Sequence, residues 1–222
     1  MRSLLELGRL ESLETAATAF AGCIEARQFF EPEAFNAWCR RILVDHPAKQ
    51  ALILPPDTIL EGDLYLDGEA DDPATNSIST IVALGNLTIT GRIFNESTEN
   101  GDFLLVGGNL STFELIKGAA SIVVLGSLTS DVTVFCDYCP GALVTGGDVN
   151  TPLLISNDHD LSIGGGLNGR LISCELGNMR EALDASVFAD PDDLDDEWPD
   201  GALIRQRLEV GLPLLKSSSS HG

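Results

Sequence analysis

Positive charge is scarce in this chain. Thirteen lysines and arginines stand against 34 aspartates and glutamates, for a formal net charge of −21. Such a field repels polyanions, so nucleic acid and anionic membrane surfaces are excluded as natural partners, while basic proteins are attracted. The same charge also serves solubility. Long apolar runs are missing as well. No segment reaches the roughly 20 apolar residues that a membrane span needs. Glu6, Arg9, Glu11 and Glu14 break up the N-terminal stretch, which argues against a signal peptide. Cysteine is sparse: Cys23, Cys39, Cys136, Cys139 and Cys174 are odd in number and widely scattered. A secreted disulfide framework is denser and usually even. These absences together predict a cytoplasmic protein with reduced thiols.

What is present divides the chain into three regions. Residues 1–50 read as helix. Leu4, Leu5, Leu10 and Leu13 recur at helical spacing, and Ala16, Ala17, Ala19 and Ala21 favour helix intrinsically. A second helix is predicted from near Pro32, carrying Phe35, Trp38, Ile42 and Leu43, and ending before Pro47. Residues 51–175 are rich in Val, Ile, Leu, Thr and Gly. Residues 176–222 turn acidic around Trp198, with a short helix predicted from Ala202 to about Val210 and a Ser-rich tail of disordered composition.

The middle region repeats. Six segments share the form apolar-x-apolar-x-Gly-polar-apolar, with glycines at Gly62, Gly85, Gly108, Gly126, Gly147 and Gly165, spaced 23, 23, 18, 21 and 18 apart. A second apolar cluster follows each corner, as in Leu115-Ile116, Val132 with Val134, Leu153 with Ile155, and Leu171-Ile172. Alternating apolar residues line one face of a strand. The glycine suits a corner where a Cβ would clash with the next coil. One coil cannot bury its apolar face alone, so coils must stack. The pattern predicts a mainly β chain: a right-handed parallel β-helix of about six coils over 51–175, with a helical N-terminal cap and an acidic C-terminal segment over 176–222. A β-sandwich would show hairpin turns every ~8–12 residues instead. The hexapeptide phase of left-handed β-helix acyltransferases is not found. Both ends of a solenoid are unpaired edges, and the N-terminal helices and C-terminal segment are the natural covers.

The recurring Gly-Asx-Leu corners, such as Gly62-Asp-Leu64 and Gly108-Asn-Leu110, resemble those of the bactofilin-type polymer-forming proteins. The similarity covers residues 51–175. It implies a structural protein that self-assembles end to end. The chain departs from that family in its helical N-terminal region and acidic C-terminal region, and covered ends oppose end-to-end stacking.

Chemistry-bearing motifs are few. Cys136-Asp-Tyr-Cys139 is a lone CxxC, whereas a structural zinc site needs four ligands, and a thioredoxin-like role needs a βαβ context. Asn157-Asp-His-Asp160 is a dense polar cluster that suits a coil corner better than a cation or catalytic site. His46 fits a helix C-terminus, and His221 lies in the tail. Gly107-Gly108 and Gly164-Gly-Gly166 lack the lysine and following helix of a phosphate loop. No carboxylates recur at one position of successive coils, as a β-helix carbohydrate-active enzyme would require. The expectation is therefore no catalytic residue, no metal and no cofactor. The candidate partner-binding residues are Asp192, Asp193, Asp195, Asp196, Glu197 and Trp198, with Leu194 and Phe188 as further apolar anchors. The leading functional expectation is an acidic protein-binding solenoid, most concretely an immunity-type inhibitor of a basic toxin or enzyme. A self-assembling homo-oligomer and a β-helix enzyme are the alternatives.

Overall fold

The computed structural model describes residues 4–27, 49–67, 78–99, 101–137, 141–192 and 198–216. The predicted second helix with Phe35, Trp38 and His46, together with Cys39, Cys139 and His221, lies outside these residues. In chain order, a short helix α1 (Leu4–Leu7) leads to β1 (Arg9–Ser12) and α2 (Leu13–Arg27). The solenoid then runs through β2 (Gln50–Leu54), β3 (Thr58–Leu60), β4 (Leu64–Tyr65), β5 (Ile78–Ala83), β6 (Leu87–Asn95), β7 (Phe103–Val106) and β8 (Leu110–Lys117). It continues through β9 (Ser121–Val124), β10 (Leu128–Ser130), β11 (Thr133–Asp137), β12 (Ala142–Thr145), β13 (Val149–Asn157), β14 (Asp160–Ile163) and β15 (Leu167–Ser173). Two short helices, α3 (Met179–Ala182) and α4 (Gly201–Glu209), follow.

The architecture is a parallel β-helix, as the repeat predicts. One sheet has the order β1-β2-β5-β7-β9-β12-β14, and the second is built from β3, β4, β6, β8, β10, β11, β13 and β15. Among the described strands every pairing is parallel except β1 with β2. About four turns carry a parallel neighbour on both sides, fewer than the six expected, because the first and last rungs are ends. Like residues stack on like. Leu52, Ile81, Leu104, Ile122, Leu143 and Leu161 fall in register up one sheet. Leu87, Leu110, Leu128, Val149 and Leu167 do the same up the other. Between them lies the inner core.

The glycine corners form a column, with one change of phase. Gly108, Gly126, Gly147 and Gly165 each sit against the glycine corner of the previous coil. Gly85 instead sits on Pro56, and Thr58 pairs with Leu87. Pro55-Pro56-Asp57 is therefore the first corner, not Gly62. Gly62 has φ +96° and accepts from the Gly91 N–H at 2.9 Å, a different stack. The polar residue after each glycine ties the coils together. The Asn109 N–H donates to Asn86 Oδ1 (2.9 Å), Ser127 N–H to Asn109 Oδ1 (2.9 Å), Asp148 N–H to Ser127 Oγ (3.1 Å) and Gly166 N–H to Asp148 Oδ1 (2.7 Å). Each closes a backbone donor that a tight corner would otherwise strand.

Several solenoid strands, β5, β9 and β11 among them, are buried on both faces. Helix α2 lays Leu13, Ala16, Phe20 and Ile24, spaced three or four apart, against Ile53, Val82, Leu105 and Val123 on the outside of the first sheet. Burying a side chain such as Phe20 or Ile24 contributes about 2–3 kcal/mol. The helix starts where Ser12 Oγ accepts from the Thr15 N–H (3.1 Å), an N-cap bond. Residues 9–12 break the expected helix: β1 uses its backbone to pair antiparallel with β2, a tertiary gain that overrides the spacing of Leu10 and Leu13. The α1 leucines Leu4, Leu5 and Leu7 pack on the inner core. The C-terminal segment covers the outside of the second sheet. Met179, Val187, Phe188, Ile204, Leu208 and Leu214 pack on Phe94, Ile116, Phe135, Ile155 and Ile172. It therefore lies along the flank, not across the last rung. Asp200 caps α4 by accepting from the Ala202 N–H (2.8 Å).

Candidate functional site

The acidic run begins at Asp190, after α3 and a single 3-10 turn at Ala185–Val187. The Arg180 guanidinium lies 4.2 Å over the Phe188 ring and donates to the Pro191 carbonyl (2.6 Å), which fixes the entry to the run. Asp190 accepts from the Asp192 N–H (3.0 Å), and both carboxylates are exposed. Trp198 is 51% exposed. Asp193, Leu194, Asp195, Asp196 and Glu197 lie outside the described residues. Phe188, expected as an apolar anchor for a partner, is instead buried in the flank core, where its ring serves packing.

A second acidic surface was not singled out from sequence. It is the last rung of the solenoid. Among the described residues β14 pairs only with β12, and β15 only with β13. Their outer edges thus present unpaired backbone groups. Leu161, Ile163, Leu167 and Leu171 are partly exposed there, continuous with the inner core. Asp158, Asp160 and Glu175 are exposed at its corner. The Asp158 N–H donates to Cys174 Sγ at 3.1 Å. Burial raises the Cys174 thiol above its ordinary value; the Asp158 N–H opposes this and the Glu175 and Asp158 carboxylates add to it. Asp158 and Asp160 belong to the cluster that the sequence marks as a coil corner, and the glycine run Gly164–Gly166 falls in the last repeat.

The polar cluster at residues 157–160 is a coil corner. Asp158 has φ +50°, and Asn157 Nδ2 donates to Asp137 Oδ1 (3.0 Å). His159 is buried with Nε2 2.5 Å from Lys117 Nζ, and Lys117 also donates to the Gly118 carbonyl (3.0 Å). Lys117 stacks on Cys136 in the ladder. Burial pushes the Cys136 thiol up to about 11, with Lys117 opposing. That leaves the thiol protonated and unreactive near neutrality. Among the described residues no group of three or more His, Cys, Asp or Glu side chains is placed to hold a metal ion. No described helix is long and apolar enough to cross a membrane.

One half-buried carboxylate, Asp102, carries a pH signature. Burial raises Asp102 from 3.8 to about 7, Lys49 opposes and Asp67 reinforces. The folded chain then binds a proton that the unfolded chain releases. Its stability declines as pH rises from about 4 through about 7. Asp102→Asn is expected to raise the melting temperature at pH 8 and leave it nearly unchanged at pH 4. Equal shifts at both pH values would refute this assignment.

No family model matches this chain, and no curated protein or solved structure matches it.

Proposed function

We propose that the chain is a non-catalytic protein-binding scaffold whose acidic surface engages a basic protein partner. The way charge is distributed supports this reading. Among the described residues several cations are spent on bonds within the chain: Arg92 on Glu114, Arg205 on Asp137, Arg207 on Asp184 and Lys117 within the solenoid. Carboxylates such as Asp131, Asp148, Asp158, Asp160, Glu175 and Asp192 face solvent. The outward field is thus more one-sided than composition alone conveys. Stacked coils hold these charges on a rigid frame, which speeds and orients encounter with a basic surface. In its most concrete form the partner is a toxin or enzyme whose basic cleft is occluded, as by an immunity protein.

A second reading, a self-associating structural protein, draws support from the last rung, whose outer edge has no strand partner among the described residues. With α1 and β1 occupying the first end, it takes the form of a closed pair, not a filament. One experiment separates the two. Affinity capture from the source lysate at low and high salt is followed by light scattering and direct titration of the purified partner. A basic partner released by salt, with binding weakened tenfold or more by lysine at Asp158, Asp160 and Glu175, supports the first reading. Capture of only the chain itself, with the mass of a dimer, supports the second. Salt-insensitive binding to an acidic or neutral partner would overturn the first.

A further inference from the structure

The two ends of the first sheet are finished differently. At the first end the chain supplies its own closing strand. β1 leaves the repeat and pairs antiparallel with β2, Leu10 opposite Leu52 and Glu11 opposite Ala51. Leu4, Leu5 and Leu7 cover the inner core beside it. At the last end, β14 has no such partner among the described residues. β15 is better protected. Asn178 Oδ1 accepts from the Ser173 N–H (3.0 Å) and its Nδ2 donates to the Leu171 carbonyl (3.3 Å), in the manner of a neighbouring strand. The open edge is therefore that of β14, with Leu161 and Ile163 partly exposed along it.

This edge is not prepared for another coil. In the earlier corners the residue after the glycine offers an acceptor to the next coil's backbone, from Asn86 through Asn109 and Ser127 to Asp148. In the last corner that position is Gly166, which has no side chain to offer. A single strand needs no corner. Its backbone would pair with the edge, and its alternate side chains would set specificity. Along β14, Leu161 and Ile163 side with the inner core, whereas Asp160 and Ser162 face solvent. Residues directly opposite one another share a face. The incoming strand thus needs apolar residues opposite Leu161 and Ile163, and a cation opposite Asp160. Asp158 and Glu175 are also exposed at that end, and the bond from the Asp158 N–H to Cys174 Sγ (3.1 Å) holds the two stretches together. Arg170, the exposed cation of this rung, lies on β15. A second copy pairing centrally through its own β14 sets Ile163, not a cation, opposite Asp160, and adds its own carboxylates to the field.

We infer that the β14 edge accepts one extended, antiparallel strand of the basic partner, with apolar residues at alternate positions and lysine or arginine at the end that meets Asp160. The inference rests on the partner reading above and adds to it the mode of engagement.

The probe is the acetylated peptide amide Val-Thr-Val-Lys-Gly-Lys, whose order places its first lysine opposite Asp160 when the first valine lies opposite Ile163. It is titrated into the full chain by calorimetry and NMR. Saturable binding is expected, with shifts at the amides of Asp160–Ile163. Only alternate N–H groups of a strand face its neighbour. N-methylation of one alternate set should therefore weaken binding at least about tenfold, and of the other set less than about threefold. Asp160→Lys, at an exposed position, should leave the fold intact by circular dichroism and weaken the peptide about fivefold. The peptide carrying glutamate in place of both lysines should recover binding to that variant. Absence of binding, equal effects of the two N-methylated sets, or no effect of Asp160→Lys would overturn the inference. If a basic partner is nonetheless captured from lysate, the strand mode falls and the partner reading stands. Peptide binding as expected without a captured partner supports the edge site and counts against that reading. A dimer that the peptide does not disperse would put a second copy on the edge, and overturns the inference too.

Discussion

Alanine at position 126 is expected to destabilise the fold by about 2–4 kcal/mol, a methyl group added at a site that faces no ligand. A Cβ there would lie 2.2 Å from Asn109 Oδ1 and 2.7 Å from the Gly108 carbonyl oxygen. The second neighbour is backbone and cannot rotate away. Asn109 can move, but only by giving up the bond it accepts from the Ser127 N–H. Overpacking and a lost hydrogen bond therefore add. Gly22 is the matched control. Nothing lies within 4 Å of a Cβ built on it, and it sits inside α2. Gly22→Ala should stabilise by about 0.5–1 kcal/mol through helix propensity. Urea unfolding of both variants checks the pair. A Gly126→Ala variant within error of the parent would mean that the corners do not touch as described.

Arg205→Met is expected to cost about 3 kcal/mol and to loosen the C-terminal segment first. Arg205 on α4 donates to Asp137 Oδ2 at 2.7 Å, with side chains 17% and 6% exposed. Removing the guanidinium leaves a buried carboxylate at the end of β11 with Asn157 as its remaining named donor. The double change Asp137→Asn with Arg205→Met should recover much of the loss, because the stranded charge goes with its partner. Limited proteolysis reads the location: cleavage should rise within residues 184–216 in the single variant and fall back in the double. A purely additive cycle would show that the two groups do not interact.

The inner ladder was legible because it obeys two simple periods. Apolar residues two apart mark an inward face, and glycines about 20 apart mark corners, so Gly85, Gly108, Gly126, Gly147 and Gly165 aligned correctly. The first corner was misphased because Pro56 fills the glycine's place while Gly62, free to take φ +96°, mimics it six residues further on. The flank contacts were harder to read. Ser121-Ile-Val-Val124 is buried throughout and shows no alternation, the mark of a strand covered on both sides. That pattern implies a cover but does not say which segment supplies it. A cleft beside Arg92 and Glu114 joins residues from β6, β8 and the chain after α4, and no local motif spans such distances. The acidic run was visible by composition alone, yet its Phe188 turned inward because a flank core needed filling.

Those two flank covers have a thermodynamic consequence. A bare solenoid is a one-dimensional array whose rungs can fray one at a time. Here α2 touches successive rungs through Ile53, Val82, Leu105 and Val123, while the C-terminal segment spans Phe94, Ile116, Phe135, Ile155 and Ile172 on the opposite side. No rung beneath a strap can melt without lifting a strap that its neighbours also hold. The straps turn a stack of nearly independent repeats into one all-or-none unit.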